Sequence, residues 1–158
     1  MSNIFSLPRL LCSALIAGLF CMHAAWAQTA AQPNSPQLNL PRIELSAGMY
    51  RLEVQVAATP YQQQIGLMWR ESMPENEGML FIFDTPRTQC FWMKNTLLPL
   101  SAAFIQDDGT IVNIADMMPQ STESHCSDKP VRYVLEMHQG WFEKHGILAG
   151  KRLTGYPF

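Results

Sequence analysis

The sequence predicts an α+β domain: a mostly antiparallel β-sheet that curls towards a partly closed barrel, with two short helices. Three observations point there. Apolar and polar residues alternate with period two in short runs separated by turn residues, only two stretches have helical character, and the regular strand–helix–strand rhythm of a doubly wound parallel sheet is missing. With 158 residues, 47% of them hydrophobic and 15% charged, the chain fits one globular domain large enough to bury a core without metal or a disulfide framework. Eleven Lys and Arg against 13 Asp and Glu give a net charge of −2. That leaves no basic field to gather phosphates, so nucleic acid and anionic lipid surfaces are not expected partners. No repeat of solenoid length runs through the chain.

The first 27 residues have the three parts of a secretory signal: Arg9 as the charged residue, an apolar run from Leu10 to Met22, and Ala25-Trp26-Ala27 before Gln28. The A-x-A step predicts cleavage near Ala27 and export to the periplasm or beyond. The apolar run falls short of the roughly 20 residues a membrane-spanning helix needs, so no transmembrane span is expected after cleavage. Cys21 lies in the apolar region, but the bulky Phe20 before it argues against lipoprotein processing. Residues 28–39, rich in Gln, Asn, Ala and Pro, have little to bury and read as a flexible linker. A single globular domain is expected over residues 40–158.

Within it, Tyr50, Leu52, Val54 and Val56 alternate with Arg51, Glu53 and Gln55, the pattern of a half-buried strand. Thr59-Pro60-Tyr61-Gln62 supplies an N-cap hydroxyl, a proline where no amide donor is missed and a glutamine able to close a capping box. A helix is predicted from about Pro60 to Trp69, with Tyr61, Ile65 and Met68 on its inner face. Glu71 to Gly78 reads as a loop. Met79–Phe83 and Cys90–Lys94 are predicted as neighbouring strands joined by the turn-like Asp84-Thr85-Pro86-Arg87. Ser101–Gln106 and Thr110–Ala115 flank Asp107-Asp108-Gly109 and form the clearest hairpin, the glycine supplying a positive φ. Met117 to Pro130 is polar and turn-rich, an exposed loop carrying Cys126. Val131, Tyr133, Leu135 and Met137 form the core-facing side of another strand, with Arg132, Val134, Glu136 and His138 on the other. Gln139–His145 can form a short helix stopped by Gly146, and Ile147–Leu153 a last strand.

Loss of the leader removes Cys12 and Cys21 and leaves Cys90 and Cys126. In an oxidising compartment two cysteines are most simply a disulfide, closing a loop of about 36 residues for roughly 3–4 kcal/mol. Two free thiols or two thiolate ligands are the alternatives, and the sequence leaves all three open.

Several blocks carry a family resemblance. Gly66-Leu67-Met68-Trp69-Arg70, Gly78-Met79-Leu80-Phe81-Ile82-Phe83 and the run from Phe91 to Leu100, which begins Phe-Trp-Met-Lys-Asn-Thr, resemble the signature blocks of the family called domain of unknown function 192. Tyr133–Met137 and Gly146–Gly150 resemble its later blocks. The similarity spans roughly Leu40 to Leu153. The resemblance implies a small β-rich α+β domain, often exported, with no established reaction and no catalytic residues to carry over. Two positions depart from it: Ser101 stands where the family usually has an acidic residue, and Lys151 follows Gly150 where an acidic residue is common.

Three constellations could carry chemistry. Arg70, Trp92, Lys94, Asn95 and Thr96 form a polar and aromatic cluster; in a strand Trp92, Lys94 and Thr96 would share one face, offering an indole, an ammonium and a hydroxyl to a sugar ring or an anionic small molecule. The structural alternative has Trp92 packed under a loop, Lys94 blunting a sheet edge and Asn95 satisfying a turn. Glu136, with His138 on the same strand face or with Lys94, could serve general acid–base catalysis, although an exposed strand carrying ordinary charges explains it equally well, and no recognisable nucleophile motif accompanies it. Eight of the ten methionines lie beyond residue 27, with His125 beside Cys126 and Met137 beside His138, groups suited to Cu(I). No M-x-M or C-x-x-C spacing supports a metal site, and Met68, Met79 and Met137 fall where core filler is wanted. No cofactor is expected. The sequence therefore reads as an exported binding or accessory module of the cell envelope, whose partner is a small polar ligand or another envelope protein. A hydrolase-like periplasmic enzyme using Glu136 or Lys94, and a periplasmic copper-binding protein, are the alternatives. An enzyme predicts a concave pocket joining Lys94, Asn95 and Glu136; an adaptor predicts a flatter apolar patch.

Overall fold

Residues 34–158 are described by a computed structural model. The leader expected at residues 1–27 lies outside the described residues. Strand β1 covers Arg42–Ala47, β2 Tyr50–Ala57, helix α1 Pro60–Ile65, β3 Glu77–Arg87, β4 Cys90–Phe91, β5 Leu100–Ile105, β6 Ile111–Met117, β7 His125–Cys126, β8 Val131–His138, helix α2 Trp141–Lys144 and β9 Leu153–Thr154. Seven strands form a curled, half-barrel sheet in the order β6-β5-β8-β3-β2-β1-β9, and β4 pairs with β7 in a separate ribbon. The expected α+β class with a mostly antiparallel sheet is what forms. The exception is β2 against β3, which run parallel because α1 lies between them as a crossover. No helix among the described residues is long and apolar enough to cross a membrane.

The sheet is covered on both faces. On one, Leu52, Val54, Leu80, Leu135 and Met137 pack with Trp141 and Phe142 of α2. On the other, Met79, Phe81, Ala102, Phe104 and Val134 are covered by Leu67, Met73 and Met93 from the connecting segments. Each large buried side chain here stabilises the fold by roughly 1.5–3 kcal/mol. Double coverage corrects the one-sided reading of β8: Val134 and Glu136 are buried, as are Tyr133 and Leu135, because β8 sits between β3 and β5 under both layers.

α1 starts as its cap dictates. The Thr59 hydroxyl accepts from the Gln62 amide at 3.3 Å, and the Gln62 side chain accepts from Thr59 N–H at 3.0 Å. Its last residue is Ile65, four short of the expected Trp69 terminus, with Gly66 as the C-cap. Gly66 has φ of +51°, and a Cβ there would lie 3.1 Å from the Phe81 ring, so the chain turns where a side chain cannot follow. In so short a helix Ile65 reaches the sheet while Tyr61 stays exposed, which corrects its expected inward position.

Four other boundaries differ from expectation. β1 forms a hairpin with β2 where no strand was expected. Asp84–Arg87 continues β3 through a register shift instead of turning. The Cys90–Lys94 strand shrinks to Cys90–Phe91 and pairs with His125–Cys126, inside the expected exposed loop, rather than with β3. The final strand is only Leu153–Thr154; before it the chain folds over the β5–β6 hairpin, where Ile111 N–H donates to Lys151 O at 2.9 Å and Leu153 N–H to Gly109 O at 2.9 Å. Those bonds draw the β9 and β6 edges of the half-barrel together, leaving less free edge.

Part of the segment read as a linker is engaged by the domain. The Gln37 side chain donates to the carbonyls of Gln62 and Gly66, at 2.8 and 3.0 Å, and the Leu38 carbonyl accepts from Gln55.

Candidate functional site

A single row of paired residues crosses the second face of the sheet: Gln55 on β2, Met79 on β3, Glu136 on β8, Ala102 on β5 and Ala115 on β6. Glu136 is the ionisable member of that row and only 4% exposed. What exposure it has opens into a cavity of about 310 Å³, at the small end of the range for small-molecule sites, roughly 300–1,000 Å³.

Each wall has a local cause. α1 and the turn at Gly66 bring Gln63, Gln64 and Met68 to one side. Phe81 and Phe83 rise from β3, and Phe91 crosses from β4 with its ring edge-on to both, at 4.7 and 6.4 Å between centroids. Cys90 and Cys126 are joined by a disulfide that fastens the Phe91 wall to β7; Gln89 N–H to the Ser127 hydroxyl at 3.1 Å and Met93 N–H to Ser121 O at 2.9 Å tie the same segment down. The bond resolves the cysteine alternatives and removes both thiolates from a soft-metal site. No group of three or more His, Cys, Asp or Glu is assembled among the described residues.

The expected shared strand face of Trp92, Lys94 and Thr96 does not exist, because the strand ends at Phe91 and the chain then turns. All three still line the cavity. Thr96 is buried, Trp92 is 49% exposed at the mouth, and the Lys94 ammonium sits 5.4 Å from the Trp92 ring centroid, a cation–π distance. Asn95 is not in the lining: it adopts φ of +57° and its carbonyl accepts from Trp69 N–H at 2.8 Å. Arg70 is buried outside the lining, donating to Gln37 O at 2.6 Å and to the Gln55 side chain, with its Nε unpartnered among the described residues. His138, considered as a helper of Glu136, has its ring Nε2 within 2.7 Å of Met73 O and does not line the cavity. Ser101 is buried between Asp116, which it bonds, and Gly140 N–H, which donates to it at 2.9 Å.

The electrostatics follow from burial. Desolvation pushes the Glu136 carboxyl up to about 8, with the Arg70 guanidinium pulling the other way. Burial likewise lowers the Arg70 guanidinium, with repulsion from Arg42 adding to it, while Glu77 and Glu136 oppose. No ion pair within 4.0 Å joins Glu136 to a cation among the described residues. At neutral pH this carboxyl carries its proton and presents both an O–H donor and a carbonyl acceptor to the cavity.

Two features of the site are not in the sequence expectations. One is the phenylalanine wall, whose rings come from separate strands. The other is a set of three non-glycine residues with left-handed backbones, Trp69, Asn95 and Gln120. Trp69 N–H donates to Asn95 O, and Gln120 N–H donates to the Thr96 carbonyl at 3.1 Å, so the segments that carry the lining residues Met68, Lys94 and Thr96 interlock with the Gln120 loop. Such conformations cost roughly 1–3 kcal/mol each and cluster at functional sites.

No curated protein matches the chain. Among solved structures, a protein of Sinorhizobium meliloti 1021, provisionally described as a transcription regulator, is 38% identical with a TM-score of 0.70, covering 75% of this chain and 97% of that one. A protein of unknown function from Novosphingobium aromaticivorans DSM 12444 is 28% identical with a TM-score of 0.69, covering 81% and 98%. The family model of DUF192, described as an uncharacterized ACR, matches residues 43–155, so the chain belongs to the DUF192 family.

Proposed function

We propose that the protein is an exported binding module of the cell envelope that takes a small molecule in the cavity above Glu136. The carrying observation is a concave site in which the buried Glu136 carboxyl meets Trp92, Lys94 and Thr96 behind a disulfide-fastened wall. A buried carboxyl without an ion-pair partner is a poor way to stabilise a sheet and a good way to orient a polar group of a ligand. Export rests on the charged, apolar and A-x-A parts of residues 1–27. The provisional regulator description of the Sinorhizobium relative does not redirect this reading. A net charge of −2 and helices of six and four residues among those described offer neither a phosphate-gathering field nor a groove-reading helix.

Native mass spectrometry of the protein purified from its own compartment tests both parts. The expected mass is that of residues 28–158 less two hydrogens, plus a retained species that a Trp92→Ala variant loses. A protein that keeps its leader, or one that is ligand-free from every growth condition, would count against the module. A second reading, acid–base catalysis, is favoured by one observation: a carboxyl titrating near 8 is placed to give or take a proton around neutral pH. It predicts that Glu136→Gln abolishes turnover of a retained species while leaving its binding intact.

A further inference from the structure

We propose that the cavity selects amphipathic anions: molecules whose apolar body lies against the phenylalanine wall, whose uncharged hydrogen-bonding end faces Glu136, and whose negative group stays at the mouth against Lys94. This rests on the binding reading above and specifies its ligand class.

The argument starts from how charge is distributed around the lining. Lys94 and Glu136 are the ionisable side chains that line the cavity, since Cys90 is bonded to Cys126. They lie at opposite depths, Lys94 exposed and Glu136 buried. Lys94 has no carboxylate within 4.0 Å among the described residues, and of the Lys and Arg side chains outside ion pairs there it is the one that lines the cavity. The Trp92 ring holds the ammonium at the mouth, so a free, positioned cation guards the entrance.

Between the two ends Phe81, Phe83, Phe91 and Met68 form an apolar wall that rewards apolar surface, while the polar part of the lining, Gln63, Gln64 and Gln89, is uncharged and offers no counter-charge to an ion. A ligand anion driven to the floor would lose its hydration beside a carboxyl group. At the mouth it keeps water on one side and gains Lys94 on the other. A cationic ligand meets repulsion at the entrance. The floor is left to an amide, hydroxyl or carbonyl able to exchange hydrogen bonds with Glu136 and the Thr96 region.

A matched pair of probes separates this inference from the reading it rests on. Anilinonaphthalene sulfonate and its sulfonate-free parent, phenylnaphthylamine, share one apolar body and differ by the anion. Each is titrated into the disulfide-bonded protein at neutral pH, with fluorescence for affinity and amide NMR for location. Both are expected to shift the amides of Gln63–Gly66 and Phe91–Thr96. The sulfonate should bind about fivefold tighter, the worth of one exposed charge contact. That advantage should disappear in Lys94→Gln, reverse in Lys94→Glu, and shrink with added salt while the parent stays unaffected. Lys94 is exposed and outside the core, so both variants fold. Equal affinities, or an advantage that survives Lys94→Glu, overturn the selection for anions and leave the binding reading standing. Failure of both probes to shift those amides overturns both.

Discussion

Replacing Glu136 by glutamine should make stability less dependent on pH, and the size of the effect can be worked from the site. In the folded protein the carboxyl keeps its proton to about pH 8, against 4.5 for the same group in water. Between those limits the native state binds more protons than the unfolded state, so unfolding free energy falls as pH rises. The stability tied to the protonated group is fully present below about pH 4.5 and lost as the pH climbs through 8. Each pH unit in that window costs about 1.4 kcal/mol, so the wild type has lost about 3 kcal/mol by pH 7 and about 4–5 kcal/mol above pH 8. Glutamine has nearly the same size and does not titrate. Urea unfolding with the disulfide intact, measured for both proteins from about pH 5 to 9, isolates this group because every other titration cancels in the difference. The stability advantage of Glu136→Gln should grow by about 2–3 kcal/mol between pH 5 and 7 and flatten above pH 8. Any fixed cost of burying the amide shifts the curve without changing its slope. Parallel curves would refute the reasoning, because they would mean that Glu136 titrates in the fold as it does in water.

Removing the Cys90–Cys126 bond, which spans 36 residues of sequence, should cost roughly 3–4 kcal/mol of stability in a Cys90→Ser, Cys126→Ser protein. It should also speed hydrogen exchange at Phe91 and Met93, and unchanged exchange there would mean that the bond does not hold that wall. Gly78→Ala places a Cβ 2.3 Å from the Glu136 carbonyl oxygen and 2.4 Å from the Met137 sulfur; a loss of at least ~2 kcal/mol in urea unfolding is expected, and a neutral result would show that β3 and β8 can separate locally. Thr59→Ala breaks the capping box of α1 and should cost about 1 kcal/mol, read as a lower urea midpoint with unchanged slope.

Where the sequence pattern has one dominant cause, it reads correctly. Tyr50–Val54 alternates because Arg51 and Glu53 reach solvent while Leu52 and Val54 enter the core, although Gln55, expected outside, is buried against Arg70; Asp107-Asp108-Gly109 turns because Gly109 holds φ of +86°, and Thr59-Pro60 starts a helix by local hydrogen bonds alone. Errors arise where tertiary partners decide. Arg42–Ala47 has the alternation of Ile43, Leu45 and Ala47 against charged and polar neighbours, but follows a proline after a polar stretch; its pairing with β2 is what makes it a strand. Asp84–Arg87 has turn chemistry, yet the bulge before Arg87 lets β3 absorb it against β8. His125–Cys126 becomes a strand because the disulfide holds it in place together with the Asn113 side chain, which donates to Cys126 O and accepts from Asp128 N–H.

The site was legible as a set of residue types and not as a place. Trp92, Lys94, Thr96 and Glu136 stand out by chemistry, and all four line one cavity, but strand periodicity predicts the wrong geometry for the first three and the wrong environment for the fourth. The reason is physical: alternation reports one buried face, and β8 has two, so Glu136 looks like an ordinary solvated charge until the covering layer of Leu67, Met73 and Met93 is seen. That same covering makes the group expensive. A carboxyl costing about 3 kcal/mol at pH 7 takes a large share of a stability that is typically 5–15 kcal/mol, and a leucine of similar volume would remove the cost. The strained turns at Trp69, Asn95 and Gln120, which adjoin or bond the lining residues Met68, Lys94 and Thr96, add to it. Destabilising features gathered around one cavity, in a fold otherwise well packed on both sides of its sheet, fit the binding reading proposed above: burial to 4% exposure restricts the Glu136 carboxyl before any ligand arrives, so a matching polar group meets a partner whose ordering is already largely complete.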